Sequence, residues 1–250
     1  MPIKTFMAIF VLAAAFTFTA CLGKKKNDSD VKLLESKTVT DNIVETDTVA
    51  NSEFKTFELD FGFKVTIGKE EDFERFKTYT YFKLERNNNI VYLENDSSLI
   101  EYEFGNTLFP IILQTGDNSF ELLFEINDRP SKNYLKRLFV SNDKLTGQDE
   151  LPTFEAKPID INGDGIKEYA GYRYDSQYWG RNDSLTTYSP ILYYSATKEG
   201  LKLDSSLTKQ RNEIIYGQFY GYSYSEKYEI PISVIDKFEQ ELKVIRGTAK

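Results

Sequence analysis

The sequence predicts a mainly β protein: antiparallel sheets or a propeller-blade-like β domain, with one C-terminal amphipathic helix at about 233–246. Three observations predict it. From Phe54 onward, aromatic and β-branched residues alternate with polar ones over short runs, the period of a strand with one buried face. Gly, Asn and Asp punctuate those runs at the close spacing that tight turns require. Only the last stretch of chain keeps a helical period.

The chain opens differently. Lys4 is followed by an apolar run over 6–18 interrupted only by Thr17, and small Thr19 and Ala20 then precede Cys21. These are the three parts of a secretory signal over 1–20. Phe18-Thr19-Ala20-Cys21 resembles the lipobox of bacterial lipoproteins, with Phe18 where that family usually has an aliphatic residue. The resemblance implies cleavage before Cys21, diacylglycerol on its thiol, and acylation, palmitate for instance, of the new amino terminus. Two or more acyl chains would anchor the chain stably to a membrane, at about 0.8 kcal/mol per buried methylene. A transmembrane helix is the competing reading, because 5–23 is uncharged and just long enough to span. The strongly apolar part is shorter than that, and the chain's only cysteine sits at its end.

Residues 22–52 are polar and charge-mixed and contain no aromatic side chain. That composition predicts a flexible tether after Cys21, with a reach of about 30 Å. Residues 53–250 then form a β-rich globular domain, or two packed lobes divided near the polar segment 142–152. Strands are predicted over 76–85 and 90–94, joined at Asn87-Asn88-Asn89, with Phe82 and Leu84 on one face. A second hairpin is predicted over 120–126 and 134–140, and a third pair over 169–175 and 188–197. Short helices are predicted over 69–75 and 206–213. In the last helix Ser233 and Asp236 have capping-box spacing. Ile235, Phe238, Leu242 and Ile245 form the core stripe, and Gly247 is the stop.

Composition excludes several chemistries. The chain has no histidine, which removes Ser-His-Asp and Cys-His catalysis and histidine metal ligands. With Cys21 lipidated, no thiol remains for disulfides or thiolate metal sites. A net charge of −8 without a basic cluster argues against nucleic acid as a partner.

One motif carries a mechanism. In Asp160-Ile161-Asn162-Gly163-Asp164-Gly165-Ile166-Lys167-Glu168, side-chain oxygens recur at alternate positions and Gly165 permits a sharp bend. Asp160, Asn162, Asp164, the Ile166 carbonyl and Glu168 make an oxygen shell suited to Ca²⁺. The loop resembles the DxDxDGxxD calcium loops of FG-GAP and VCBS-type β-propeller blades, including those of integrins, with Glu168 where they have Asp. The resemblance implies a structural calcium ion that neutralises the carboxylates and pins the following strand. Asn-Gly and Asp-Gly are also common turn dipeptides, so a metal-free hairpin loop fits the same residues.

Tyrosines crowd the last third of the chain. Half-buried sheet faces account for most of them. A recognition surface for glycan or protein is the alternative, centred on the loop 176–187 with Tyr178, Trp179, Arg181 and Asp183.

These features together predict a membrane-anchored binding or interaction protein of the bacterial envelope, not an enzyme, facing periplasm or cell surface. A lipidated β domain with an acidic loop also resembles periplasmic lysozyme-inhibitor-like immunity lipoproteins, which implies blockade of a cell-wall hydrolase. The rival class is a carboxylate-based glycan hydrolase, which needs two acids about 5–9 Å apart.

Overall fold

The computed structural model describes residues 53–73, 76–95, 101–104 and 108–248. Cys21, the signal-like run before it and the polar segment to residue 52 lie outside the described residues. The fold is mainly β with antiparallel pairing, and the described strands do not close into a barrel.

Strands β1 (Phe54–Glu58), β2 (Phe63–Phe73), β3 (Phe76–Arg86) and β4 (Asn89–Asn95) form an antiparallel meander. The sheet continues through β5 (Glu101–Glu103), β6 (Ile111–Gly116), β7 (Ser119–Asn127), β8 (Tyr134–Ser141) and β9 (Lys144–Pro152). Its nine strands run in the order β1-β2-β3-β5-β7-β8-β9, with β4 on β3 and β6 on β7. Two-residue turns at Asn87-Asn88 and Asn142-Asp143 have positive φ at both positions. That twist suits a tight hairpin, and Asn and Asp tolerate it.

Residues 69–75 were expected to be helical. The described part instead extends β2, where Glu70 pairs with Tyr79 of β3 and accepts its hydroxyl at 3.2 Å. Cross-strand pairing overrides weak local propensity there. The polar segment 142–152, read as a divider, is the β8–β9 turn plus strand β9. It is polar because β9 is the sheet edge and its first residues face solvent.

One face of the sheet encloses a core of Phe63, Val65, Phe82, Leu84, Phe124 and Leu138 with their neighbours. Phe82 stacks on Tyr102 at 4.0 Å between ring centres. The sheet bends back on itself, so Lys136 of β8 reaches Glu94 of β4 at 2.7 Å and the Tyr92 hydroxyl at 2.8 Å. The opposite face is also covered. Leu123, Leu135 and Leu151 pack against Phe154, Tyr169, Tyr194 and Leu201 from the second half of the chain. Strand β7 is therefore buried along its whole interior and reads as a continuous apolar run broken by Glu121 and Glu125.

Beyond β9 the chain forms β10 (Glu168–Gly171), β11 (Tyr178–Trp179), β12 (Leu185–Tyr188), β13 (Leu192–Thr197), β14 (Gly200–Leu203), α1 (Ser205–Tyr216), β15 (Ser225–Pro231) and α2 (Ile235–Ile245). Two three-stranded sheets result, β10-β13-β14 and β11-β12-β15. In the first, Tyr169 and Tyr194 face the large sheet, while Ala170 and Tyr193 face the helices.

Helix α1 is capped by Asp204, whose side chain accepts from Leu207 N at 2.8 Å, and ends at Gly217 in the left-handed region. Helix α2 buries Phe238, Leu242 and Ile245 as the stripe predicts. Its entry differs. A 3-10 turn over Ile232–Val234 leads in, Ser233 lies within that turn, and no side chain caps the helix. Glu241 is buried beside the stripe because Arg211 of α1 and the Tyr193 hydroxyl bond its carboxylate.

Candidate binding groove and acidic loop

The acidic loop is closed at its base by Ile159 and Glu168, which exchange backbone hydrogen bonds at 2.8 and 3.2 Å. Within it, Asp160 accepts from the backbone N–H of Gly163 at 2.7 Å, Asp164 at 3.1 Å and Gly165 at 2.9 Å. Asn162 Oδ1 accepts from Asp164 N at 3.0 Å, and Asp164 Oδ1 accepts from Ile166 N at 2.7 Å. Gly163 and Gly165 have φ of 78° and 87°, and a Cβ on either would touch nothing within 4 Å. The requirement for glycine is therefore conformational, set by backbone handedness and not by crowding.

Glu168 differs from the loop's exposed acids because it is 1% exposed. One carboxylate oxygen accepts from Ile161 N at 3.0 Å, while the other is buried without a partner. Burial pushes its pKa up, the Ile161 N–H pulls it down, and Asp164, Asp160 and Asp204 add to the rise. The donor types suit a hard cation, and the orphaned oxygen is an acceptor that lacks a positive partner. The acids do not gather further: among the described residues, no three acidic side chains lie close enough to hold a metal ion as they stand.

A second surface feature lies apart from this loop. A groove of about 1040 Å³ runs between the end of β9, residues 173–177 and residues 222–226. Leu192 and Tyr194 of β13 also line it. Strand β10 was expected to reach Asp175, but it ends at Gly171, which frees 173–177 to form a wall. Likewise Pro190 divides the expected strand 188–197 into β12 and β13.

Both walls hang on the end of β12. Ser189 Oγ donates to the Tyr174 carbonyl at 2.6 Å, and Thr187 exchanges hydrogen bonds with the Gln177 backbone at 3.1 Å. Tyr188 donates its hydroxyl to Gly221 O at 2.8 Å and packs its ring on Tyr216, Tyr220 and Tyr228. The tyrosine-rich segment 216–224 is thus fixed in place from inside, which turns Tyr222 outward at 43% exposure. Tyr174 faces Tyr224 across 5.0 Å. On the β9 side Arg173 pairs with Glu150 at 3.0 Å over the ring of Tyr134.

The loop 176–187 is the β11–β12 hairpin, turned by Gly180, Asn182 and Asp183 at positive φ. Tyr178 is 52% exposed, Arg181 and Asp183 are exposed, and Trp179 is half-buried beside Leu185. The hairpin belongs to the sheet with β15, not to the sheet of β10, so it does not extend the strand that follows the acidic loop. Ser176 and Gln177 line the groove, while Tyr178, Trp179, Arg181 and Asp183 lie beyond it.

The groove residues Arg173, Tyr174, Asp175, Tyr222, Tyr224 and Glu226 escaped sequence reading as a set. Their only signal was the tyrosine spacing near 220–224. No family model, curated protein or solved structure matches this chain.

Proposed function

We propose that this chain is a lipid-anchored binding protein of the bacterial envelope that takes its ligand in the groove beside β9. The observation that carries this reading is the groove itself. Its size suits a ligand segment, its walls are fixed by internal hydrogen bonds, and it combines open aromatic faces with convergent polar groups. The Phe18-Thr19-Ala20-Cys21 sequence supports the anchor.

Calcium is part of the proposal, as a structural ion. Asp160, Asn162, Asp164, the Ile166 carbonyl and Glu168 would hold it, and its charge would neutralise the carboxylates and satisfy the orphaned Glu168 oxygen. Asp160 Oδ1 accepts two backbone N–H groups, but Oδ2 accepts only that of Gly165 and so keeps a lone pair for the ion. A second reading draws on the exposed hairpin tip with Tyr178, Trp179, Arg181 and Asp183: insertion into the cleft of a cell-wall hydrolase, as an inhibitor would.

The test is affinity capture from envelope extract by the full-length protein in detergent, beside a Tyr174→Ala/Tyr222→Ala variant. A component held by the wild type and lost by the variant supports the groove. Equal capture by both contradicts it.

A further inference from the structure

The groove's charge is asymmetric. Glu150, Asp175 and Glu226 line it with a single basic residue, Arg173. Arg173 is already committed: its guanidinium pairs with Glu150 at 3.0 Å and lies 4.2 Å from the Tyr134 ring centre. This wall shows how the protein seats a guanidinium, with a carboxylate at its edge and a phenol ring at its face.

The same rim carries a second set of rings and carboxylates, and the Arg173 guanidinium lies farther from it, 5.9 Å from the Tyr174 ring centre. Tyr174 and Tyr224 stand 5.0 Å apart, and the Tyr224 hydroxyl donates to Glu226 at 3.2 Å. Tyr174 is 39% exposed, and Asp175 follows it on the same rim. Among the described residues, no basic side chain pairs with Asp175 or Glu226. Two carboxylates beside part-exposed tyrosine rings attract a cation and repel a polyanion. The chain's net charge of −8 adds long-range attraction of the same sign.

Resting on the groove as the ligand seat, we propose that its occupant is a basic peptide segment of a partner protein. An arginine or lysine side chain lies against Tyr174 and Tyr224 and pairs with Asp175 and Glu226. A neutral glycan would use the rings but leave both carboxylates without an ionic partner.

Isothermal titration of the full-length protein in detergent micelles tests this. The probes are acetyl-Gly-Arg-Gly-Arg-Gly-amide, its citrulline counterpart, which keeps the shape but not the charge, and chitotetraose. The arginine peptide is expected to bind, and the citrulline peptide to bind more weakly by at least about tenfold. Asp175→Asn/Glu226→Gln, both exposed positions, should remove that difference while leaving the melting temperature unchanged. Equal binding of the two peptides overturns the proposal, as does undiminished arginine-peptide affinity in the double variant. Binding of chitotetraose alone, lost in Tyr174→Ala/Tyr222→Ala, overturns the basic-peptide assignment and leaves the groove as the seat. Failure of all three probes overturns the basic-peptide assignment, and equal envelope capture by wild type and groove variant then overturns the seat itself.

Discussion

Arg173 lies with its guanidinium 4.2 Å from the centre of the Tyr134 ring. The contact joins the first residues after β10 to the first residue of β8, and Glu150 on β9 completes it at 3.0 Å. One wall of the groove is therefore built from two distant parts of the chain, and the groove exists only if those parts dock correctly.

That docking rests on Glu121 and Arg137, which grip a single residue of the second half. Glu121 accepts from Leu201 N at 3.0 Å, and Arg137 donates to Leu201 O at 3.1 Å. Gly200 has φ of 98°, and a Cβ there would lie 1.9 Å from the Glu121 carboxylate. Gly200→Ala is expected to lower stability by about 1–3 kcal/mol, because strain adds to loss of the Leu201 bond. Chemical denaturation checks this, and a midpoint equal to wild type would show that Glu121 is free to move aside.

Alkaline pH is expected to destabilise the fold. Burial pushes Tyr188 and Tyr194 up to about 12 from 10.0, and Tyr172, Tyr193 and Tyr216 shift in the same direction. In that window the unfolded chain loses phenol protons that the folded chain keeps. Stability is thus complete below about pH 10 and falls as pH rises toward about 12. Denaturation midpoints at roughly pH 9, 10 and 11 should decline progressively, and a flat series would contradict the buried hydroxyls.

Glu168 links the acidic loop to the fold through its backbone bonds with Ile159 and the Ile161 N–H, while its other carboxylate oxygen is buried without a partner. Calcium at a hundredfold excess over its Kd is expected to raise stability by about 2.7 kcal/mol. Glu168→Gln should raise the melting temperature of the metal-free protein, because a neutral amide replaces a buried charge, and should abolish most of the calcium gain. Calcium that leaves the wild-type melt unchanged at millimolar concentration would eliminate the site.

Cys21→Ser is expected to block lipidation and leave the precursor uncleaved or unanchored. Radiolabelled palmitate entering wild type and variant equally would refute the anchor.

Local features of the fold were legible, and long-range ones were not. Phe82 and Leu84 share a buried face because alternation alone sets strand sides. Phe238, Leu242 and Ile245 could be read from spacing, as could the Asn87-Asn88 turn. The bend at Gly165 was equally local. Residues 69–73 deceived because pairing with β3, remote from their own composition, makes them a strand. Segment 142–152 is polar because an edge strand needs few apolar residues, and the nine-stranded sheet ends at its last residue, Pro152. The groove was hidden for a related reason. Glu150, Arg173 and Glu226 meet through docking of β9, the end of β10 and the tyrosine segment before β15, and no local period encodes that meeting.

Site-specific photo-crosslinking in the native envelope tests the groove most directly. A photoreactive amino acid would replace Tyr222 or Ser223 in the groove, Tyr178 on the hairpin, or Ile90 or Ile214, which are 59% and 54% exposed elsewhere. A discrete adduct from Tyr222 and Ser223, absent from Ile90 and Ile214, is the predicted result. Adducts from Tyr178 alone, or equally from all five positions, would contradict the groove as the ligand seat.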